Sequence, residues 1–169
     1  EAWLLESPNP SFHLYWPHDE MTDGLDILLA GCGTQQAAQV AAGMPNARIV
    51  ATDISDNSLA ETKRLADRID AKNLTLKKCA IEEVTTLKQD FDLVICTGVL
   101  HHLENPEAGL AALKNVLRSD GAMHLMLYGQ HGRTGVYMLQ ALFQTMQVDP
   151  LKVTHSDIHK IRDLVVIFD

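Results

Sequence analysis

Short apolar runs alternate with amphipathic stretches through most of this chain. Asp26–Ala30 (DILLA), Arg48–Thr52 (RIVAT), Leu74–Lys78, Phe91–Cys96 (FDLVIC) and Ala122–Tyr128 (AMHLMLY) have the length and apolar content of strands. Helical patterns lie between them. Residues 35–43 end at Gly43, ahead of Pro45. After Ser58, the residues Leu59, Thr62, Leu65, Ala66 and Ile69 keep a period of about 3.6, and Ser58 with Glu61 matches a capping box. Asn105-Pro106 opens a further helix that carries Leu110, Leu113, Val116 and Leu117, with Gly121 after it. Residues 135–147 read as another helix and Leu164–Phe168 (LVVIF) as a sixth strand. This alternation predicts an α/β, doubly wound, mostly parallel sheet with right-handed crossovers. FDLVIC is apolar enough for its centre. Residues 1–23 contain Pro8, Pro10 and Pro17 beside Trp3, Phe12, Tyr15 and Trp16, and predict an irregular lead-in or lid. Residues 24–169 then form one domain.

The 169 residues suit a single core, and 46% hydrophobic with 21% charged residues excludes a disordered chain. No apolar run reaches the roughly 18–20 residues of a membrane span, so no membrane partner is expected. Fourteen basic residues against 22 acidic ones leave a net charge of −8, which argues against a broad nucleic-acid face. Cys32, Cys79 and Cys96 form no CxxC pair and no zinc spacing, so no metal is expected. They read as reduced thiols of a cytoplasmic protein. No signal peptide is visible, and the opening Glu1 is what a piece of a longer protein would show.

Ligands of open α/β sheets bind beyond the carboxyl ends of the strands. The first strand runs into Ala30-Gly31-Cys32-Gly33-Thr34, whose glycines allow close backbone approach. Asp53 ends the second strand, 22 positions past Gly31, where a carboxylate accepts ribose hydroxyls. The same residues also fit a ligand-free strand–helix turn and an Asx turn before Ser55. Gln36 occupies the place of the third glycine of a dinucleotide loop, and no GKS or GKT run exists. S-adenosyl-L-methionine, an adenosine cofactor without phosphate, fits this loop better than NAD.

Three segments carry a resemblance: ILLAGCGT (27–34), RIVATDIS (48–55) and FDLVICTGVLHHLENP (91–106). In order and spacing they resemble class I S-adenosylmethionine-dependent methyltransferases of the small-molecule type. A looser likeness is to methyltransferase domains that accompany tetratricopeptide repeats. The similarity runs from Asp26 to Tyr128. It implies a Rossmann-like methyltransferase fold, here without residues for the last of its seven strands. The sheet edge would then be bare, or paired with a partner chain or with sequence outside this stretch. It also implies a cofactor site of Ala30, Gly31, Cys32, Gly33, Asp53, Ile54, Ala80, Ile81, Thr97 and Gly98. His101 is the implied base for the acceptor's proton, with His102 beside it; structural roles for both compete with that reading. Leu29, Gln35 and Ala80 depart from the family's usual acid, glycine and Asp. Two functions follow: methyl transfer to a small molecule or protein side chain, or a methyltransferase-like binding or scaffold domain.

Overall fold

A computed structural model of the chain describes residues 12–17, 24–129 and 131–145. The predicted strand Leu164–Phe168 and most of residues 1–23 lie outside these. Two compact units divide between Leu127 and Tyr128. The first holds α1 (Phe12–Tyr15), β1 (Asp26–Ala30), α2 (Gln36–Gly43), β2 (Arg48–Asp53), α3 (Asp56–Arg68), β3 (Leu74–Lys78), β4 (Phe91–Thr97), α4 (Pro106–Asn115) and β5 (Leu117–Met126). Two 3-10 helices, Ile81–Leu87 and Leu100–His102, flank β4. In the second unit, α5 (Thr134–Thr145) follows a 3-10 turn, and the Arg133 guanidinium lies 3.8 Å over the Tyr128 ring. Among the described residues no helix is long and apolar enough to cross a membrane.

The five strands form one parallel sheet in the order β3-β2-β1-β4-β5. Alternate residues face opposite sides. Ile27, Leu29, Ile49, Leu93 and Ile95 pack with Ala37 and Val40 of α2 on one face. Leu28, Val94 and Cys96 pack with Val84 and with Leu113 of α4 on the other. The chain passes from β3 to β4 across β1, so the strand order reverses between β1 and β4. That reversal opens a crevice at the carboxyl ends.

Several expectations shift at element ends. The cap of α3 is Ser55, not Ser58: the Ser55 hydroxyl accepts the Ser58 N–H at 3.2 Å. Asp53 Oδ1 accepts the Ser55 N–H at 2.9 Å, which fixes Ser55 in extended backbone and starts the helix at Asp56. Helix α4 stops at Asn115, so Val116 and Leu117 are not helical. Leu117 opens β5 opposite Phe91, whose N–H donates to Val116 O at 2.8 Å. From there β5 reaches Ala122 while β4 advances only from Phe91 to Leu93, an irregularity that contains Gly121. A Cβ at Gly121 would stand 2.8 Å from Leu117 Cδ1 and 3.0 Å from Asp92 O. The acidic stretch Glu82-Glu83 lies in a 3-10 helix, pinned by the burial of Ile81 and Val84. The lead-in is helical over Phe12–Tyr15 rather than irregular. Trp16 packs on the Ile27 cluster and donates its indole N–H to Asp120 O at 2.8 Å, and the Tyr15 hydroxyl bonds His124 Nδ1.

Charge closes the amino ends of the strands. Asp26 is only 6% exposed, and its carboxylate accepts from Arg48 Nε at 2.6 Å and Arg118 Nη2 at 2.7 Å. Arg118 also binds Asp92, and Asp92 Oδ2 accepts the Asp26 N–H at 2.7 Å. One network therefore joins β1, β2, β4 and β5. The Arg48 hydrogen bond, assisted by Arg118, outweighs burial and holds the Asp26 carboxyl below its ordinary 3.8. A lowered folded pKa gives stability that is present above the unfolded value and lost as pH falls through the folded one. Asp26→Asn is expected to cost about 2–3 kcal/mol in urea unfolding at neutral pH. It should also flatten the loss of wild-type stability as pH falls below about 4. Equal acid profiles for the two proteins would contradict this account.

Candidate functional site

The loop after β1 folds back on β2. The N–H groups of Gly31 and Cys32 both donate to Thr52 O at 2.9 Å. Gly31 has φ +72°, and a Cβ there would lie 2.6 Å from Val99 Cγ2, so this position needs glycine on both counts. Gly33 has φ +59° with open space where a Cβ would stand. Its N–H donates to Asp53 Oδ2 at 2.9 Å, and its carbonyl accepts the buried Thr62 hydroxyl at 2.8 Å. Gln36 Nε2 donates to Thr97 Oγ1 at 3.0 Å, which ties the start of α2 to the end of β4. The N-cap residue of α2, Gln35, makes no side-chain capping bond.

These elements border a cavity of about 550 Å³ at the crevice, a volume typical of small-ligand sites. Gly31, Gly33, Asp53, Ile54, Ala80, Ile81 and Thr97 line it, as do Cys79, Glu82, Val99, His102, Leu103 and Glu104. Ile54 is 70% exposed, an apolar side chain held at the surface beside Asp53. Four expected site residues do not line the cavity. Ala30 and Cys32 are buried in the two core clusters. Gly98 supports the end of β4, where its N–H donates to Met126 O at 3.0 Å. The His101 ring lies against that of His102, tilted by 54° with centroids 4.1 Å apart, and only His102 reaches the lining. The 3-10 turn decides this: Leu100 is buried, His102 N–H closes the turn on Val99 O at 2.8 Å, and Gly109 of α4 admits Leu100 and Leu103 at close range. No sequence motif marks Glu82 or Glu104. Each stands two residues beyond a motif position, Ala80 and His102, and only the fold of those segments brings them to the lining.

The departures from the family pattern also find their places. Gln35 has φ −126°, so a side chain there brings no backbone strain. Leu29 is fully buried in the core. Burial pushes the Cys32 and Cys96 thiols up to about 11 and raises that of Cys79. None is a ready nucleophile at neutral pH. Among the described residues no three His, Cys, Asp or Glu side chains are placed to hold a metal.

The lining is acidic. Among the described residues it carries Asp53, Glu82 and Glu104 and no Lys or Arg. Lys78, beside Cys79, is turned to Asp56 at 2.5 Å. A phosphate-bearing ligand would meet repulsion here, whereas a nucleoside with a cationic arm would not. The residues fit an adenosine group: a carboxylate for ribose hydroxyls and an exposed apolar side chain for the base.

A family model described as a methyltransferase domain matches residues 28–123, more than half of the chain, and the chain belongs to this family. Over 123 residues it is 37% identical to uncharacterized protein syc1184_c of Synechococcus sp., covering 72% of this chain and 30% of that one. Over 125 residues it is 29% identical to tRNA 5-carboxymethoxyuridine methyltransferase of Escherichia coli K12, covering 73% and 48%. Over 145 residues it is 25% identical to a ubiquinone biosynthesis O-methyltransferase of Glaesserella parasuis, covering 82% and 61%. The chain thus spans between about a third and three fifths of these curated relatives. Two solved structures share the fold. PKMT2 from Rickettsia typhi in complex with AdoHcy has a TM-score of 0.72 at 18% identity, over 98% of this chain and 33% of that one. The N-terminal domain of EvdMO1 with SAH bound has a TM-score of 0.57 at 23% identity, over 69% and 46%.

Gly31 and Gly33 make a matched test of the loop. Gly31→Ala is expected to cost about 2–4 kcal/mol in urea unfolding, because Val99 must also move. Gly33→Ala should cost only about 1–2 kcal/mol, the left-handed backbone alone. Equal losses would show that contact with Val99 is not what demands Gly31.

Proposed function

We propose that this domain binds S-adenosyl-L-methionine in the cavity around Asp53 and transfers its methyl group to a small molecule or a protein side chain. The observation that carries the reading is Asp53 itself. Both its oxygens are already anchored on backbone amides, and the carboxylate still lines the cavity with acceptor capacity to spare. Membership of the methyltransferase family supports it, as do the related folds that hold the demethylated cofactor. The acidic lining favours a sulfonium over the pyrophosphate of NAD.

When bound, the cofactor supplies an activated methyl group for in-line displacement, so the protein's work is orientation and exclusion of water. Asp53 fixes the ribose hydroxyls and Ile54 covers one face of the base. Ala80 and Ile81 bound the base on the β3 side, and Thr97, held by Gln36, stands at the end of β4. His102, in place of His101, takes a proton from an acceptor that must lose one. The net charge of −8 supports a small-molecule or protein acceptor rather than a nucleic acid. Three free cysteines support a reducing, cytoplasmic setting. We further propose that a partner chain or additional sequence covers the outer edge of the sheet. A second reading, a scaffold that has lost the cofactor, draws on Leu29 and Ala80, which withhold two polar groups from the site.

Calorimetric titration with S-adenosylhomocysteine and with NAD separates the readings. The first is expected to bind in the micromolar range and NAD not to bind. Asp53→Ala should weaken binding at least about 30-fold, some 2 kcal/mol. Because Asp53 also supports the loop, Ile54→Asp is the cleaner variant: it should leave the fold intact and weaken binding about tenfold. A folded wild type that fails to bind up to about 1 mM, some −4 kcal/mol, would favour the scaffold.

A further inference from the structure

We infer that Gln36 is a positioning residue: it sets the Thr97 hydroxyl as a hydrogen-bond donor to the carboxylate of the cofactor's amino-acid arm. The inference rests on the function proposed above. Gln36 stands where a dinucleotide loop has its third glycine, a residue without a side chain. Here that position opens α2, and its side chain reaches the end of β4, 61 positions away in the chain. Gln36 Nε2 donates to Thr97 Oγ1 at 3.0 Å. The direction of this bond decides what Thr97 can do. A hydroxyl has one hydrogen to give and two lone pairs with which to accept. Gln36 occupies a lone pair, so the hydrogen points elsewhere. Among the described residues nothing accepts it. An amide that donates to a hydroxyl also strengthens that hydroxyl as a donor. Thr97 lines the cavity, and its hydroxyl is therefore matched to a ligand group that accepts. An ammonium, which only donates, is not such a group.

The strand order β3-β2-β1-β4 sets which part of the ligand arrives there. With the ribose on Asp53 and the base beside Ile54, Ala80 and Ile81, the nucleoside occupies the β2 and β3 side of the cavity. The amino-acid arm then crosses the loop after β1 toward β4. The amides of Gly31 and Gly33 in that loop are already spent, on Thr52 O and on Asp53 Oδ2. Among the described residues no Lys or Arg lines the cavity, so a ligand carboxylate is received by neutral donors. Beside it on β4, the Thr97 hydroxyl is such a donor, and Gln36 fixes its direction before any ligand binds. The side chain that breaks a dinucleotide pattern thus takes a part in holding a smaller cofactor.

Calorimetric titration of the full chain tests this with S-adenosylhomocysteine and with 5′-methylthioadenosine, which lacks the amino-acid arm. The weaker ligand is measured by competition against the stronger. Thr97→Val removes the hydroxyl at nearly constant shape and is expected to weaken S-adenosylhomocysteine binding about tenfold. Gln36→Glu keeps the reach and the tie to Thr97 but reverses it. A carboxylate only accepts, so it takes the hydroxyl hydrogen away from the ligand, again at a cost of about tenfold. The double variant should fall well short of the product of the two losses, because both remove the same bond. 5′-Methylthioadenosine should bind the wild type and every variant alike. An acid in the first turn suits a helix, and Thr97→Val is nearly isosteric, so the fold is retained. Wild-type affinity in Gln36→Glu would show a tie that serves the fold alone and overturns the inference. Losses that multiply in the double variant, or that strike both ligands equally, overturn it too and leave the proposed function standing. Failure of the wild type to bind either ligand overturns the function and the inference together.

Discussion

Asp53 stands at the end of β2 with one carboxylate oxygen on the Gly33 amide and the other on the Ser55 amide. That pair of bonds fixes two loops at once. The first sets the turn between β1 and α2. The second starts α3 at Asp56 through the Ser55 cap. Thr62 then reaches from the middle of α3 to the Gly33 carbonyl and closes the circuit. The geometry of the crevice therefore depends on one side chain that a ligand can also use. Such a residue is pre-oriented before any ligand arrives, and its rotamer entropy is already lost.

The sheet divides its tasks between its two ends. At the amino ends, Asp26, Arg48, Asp92 and Arg118 lock four strands together with charge that is partly shielded from water. At the carboxyl ends, the strands open into glycine turns and 3-10 segments. The hydrophobic layers between them are separate on the two faces, so α2 and α4 each bring their own core. The exposed carboxylates at the carboxyl end play no part in this packing.

Most of the architecture was legible because strands and helices here are short and well punctuated. DILLA ends at Gly31, RIVAT ends at Asp53 and FDLVIC follows Asp90, and their short, continuous apolar runs contrast with the 3.6 period of the helices between them. Val116 and Leu117 misled because they continue the helical apolar period of α4 although the chain has already turned. Only pairing with Phe91 shows that β5 begins there. The 3-10 helix at Ile81–Leu87 was hidden because a three-residue period over so short a span looks like a loop. The charge lock was invisible for a related reason: Asp26 and Arg118 are 92 positions apart and meet only once register is fixed. At the site, Gly31, Gly33 and Asp53 stood out as residue types with specific backbone or hydrogen-bonding duties. The choice between His101 and His102 did not, since adjacent identical residues differ only in where a turn points them.

The placement of Cys32 has a chemical consequence of its own. A sulfonium methyl donor is an alkylating agent, and a thiolate is among the best nucleophiles a protein owns. Cys32 sits between the two loop glycines, yet its sulfur faces the core and donates to Gly33 O at 3.6 Å. With its pKa near 11, about one such thiol in ten thousand is ionised at neutral pH. Cys79, on the cavity wall, donates to Ala80 O at 3.3 Å and is likewise biased toward the thiol. With the methyl donor proposed above in place, the loop would carry sulfur next to an electrophile while holding it in the unreactive thiol form.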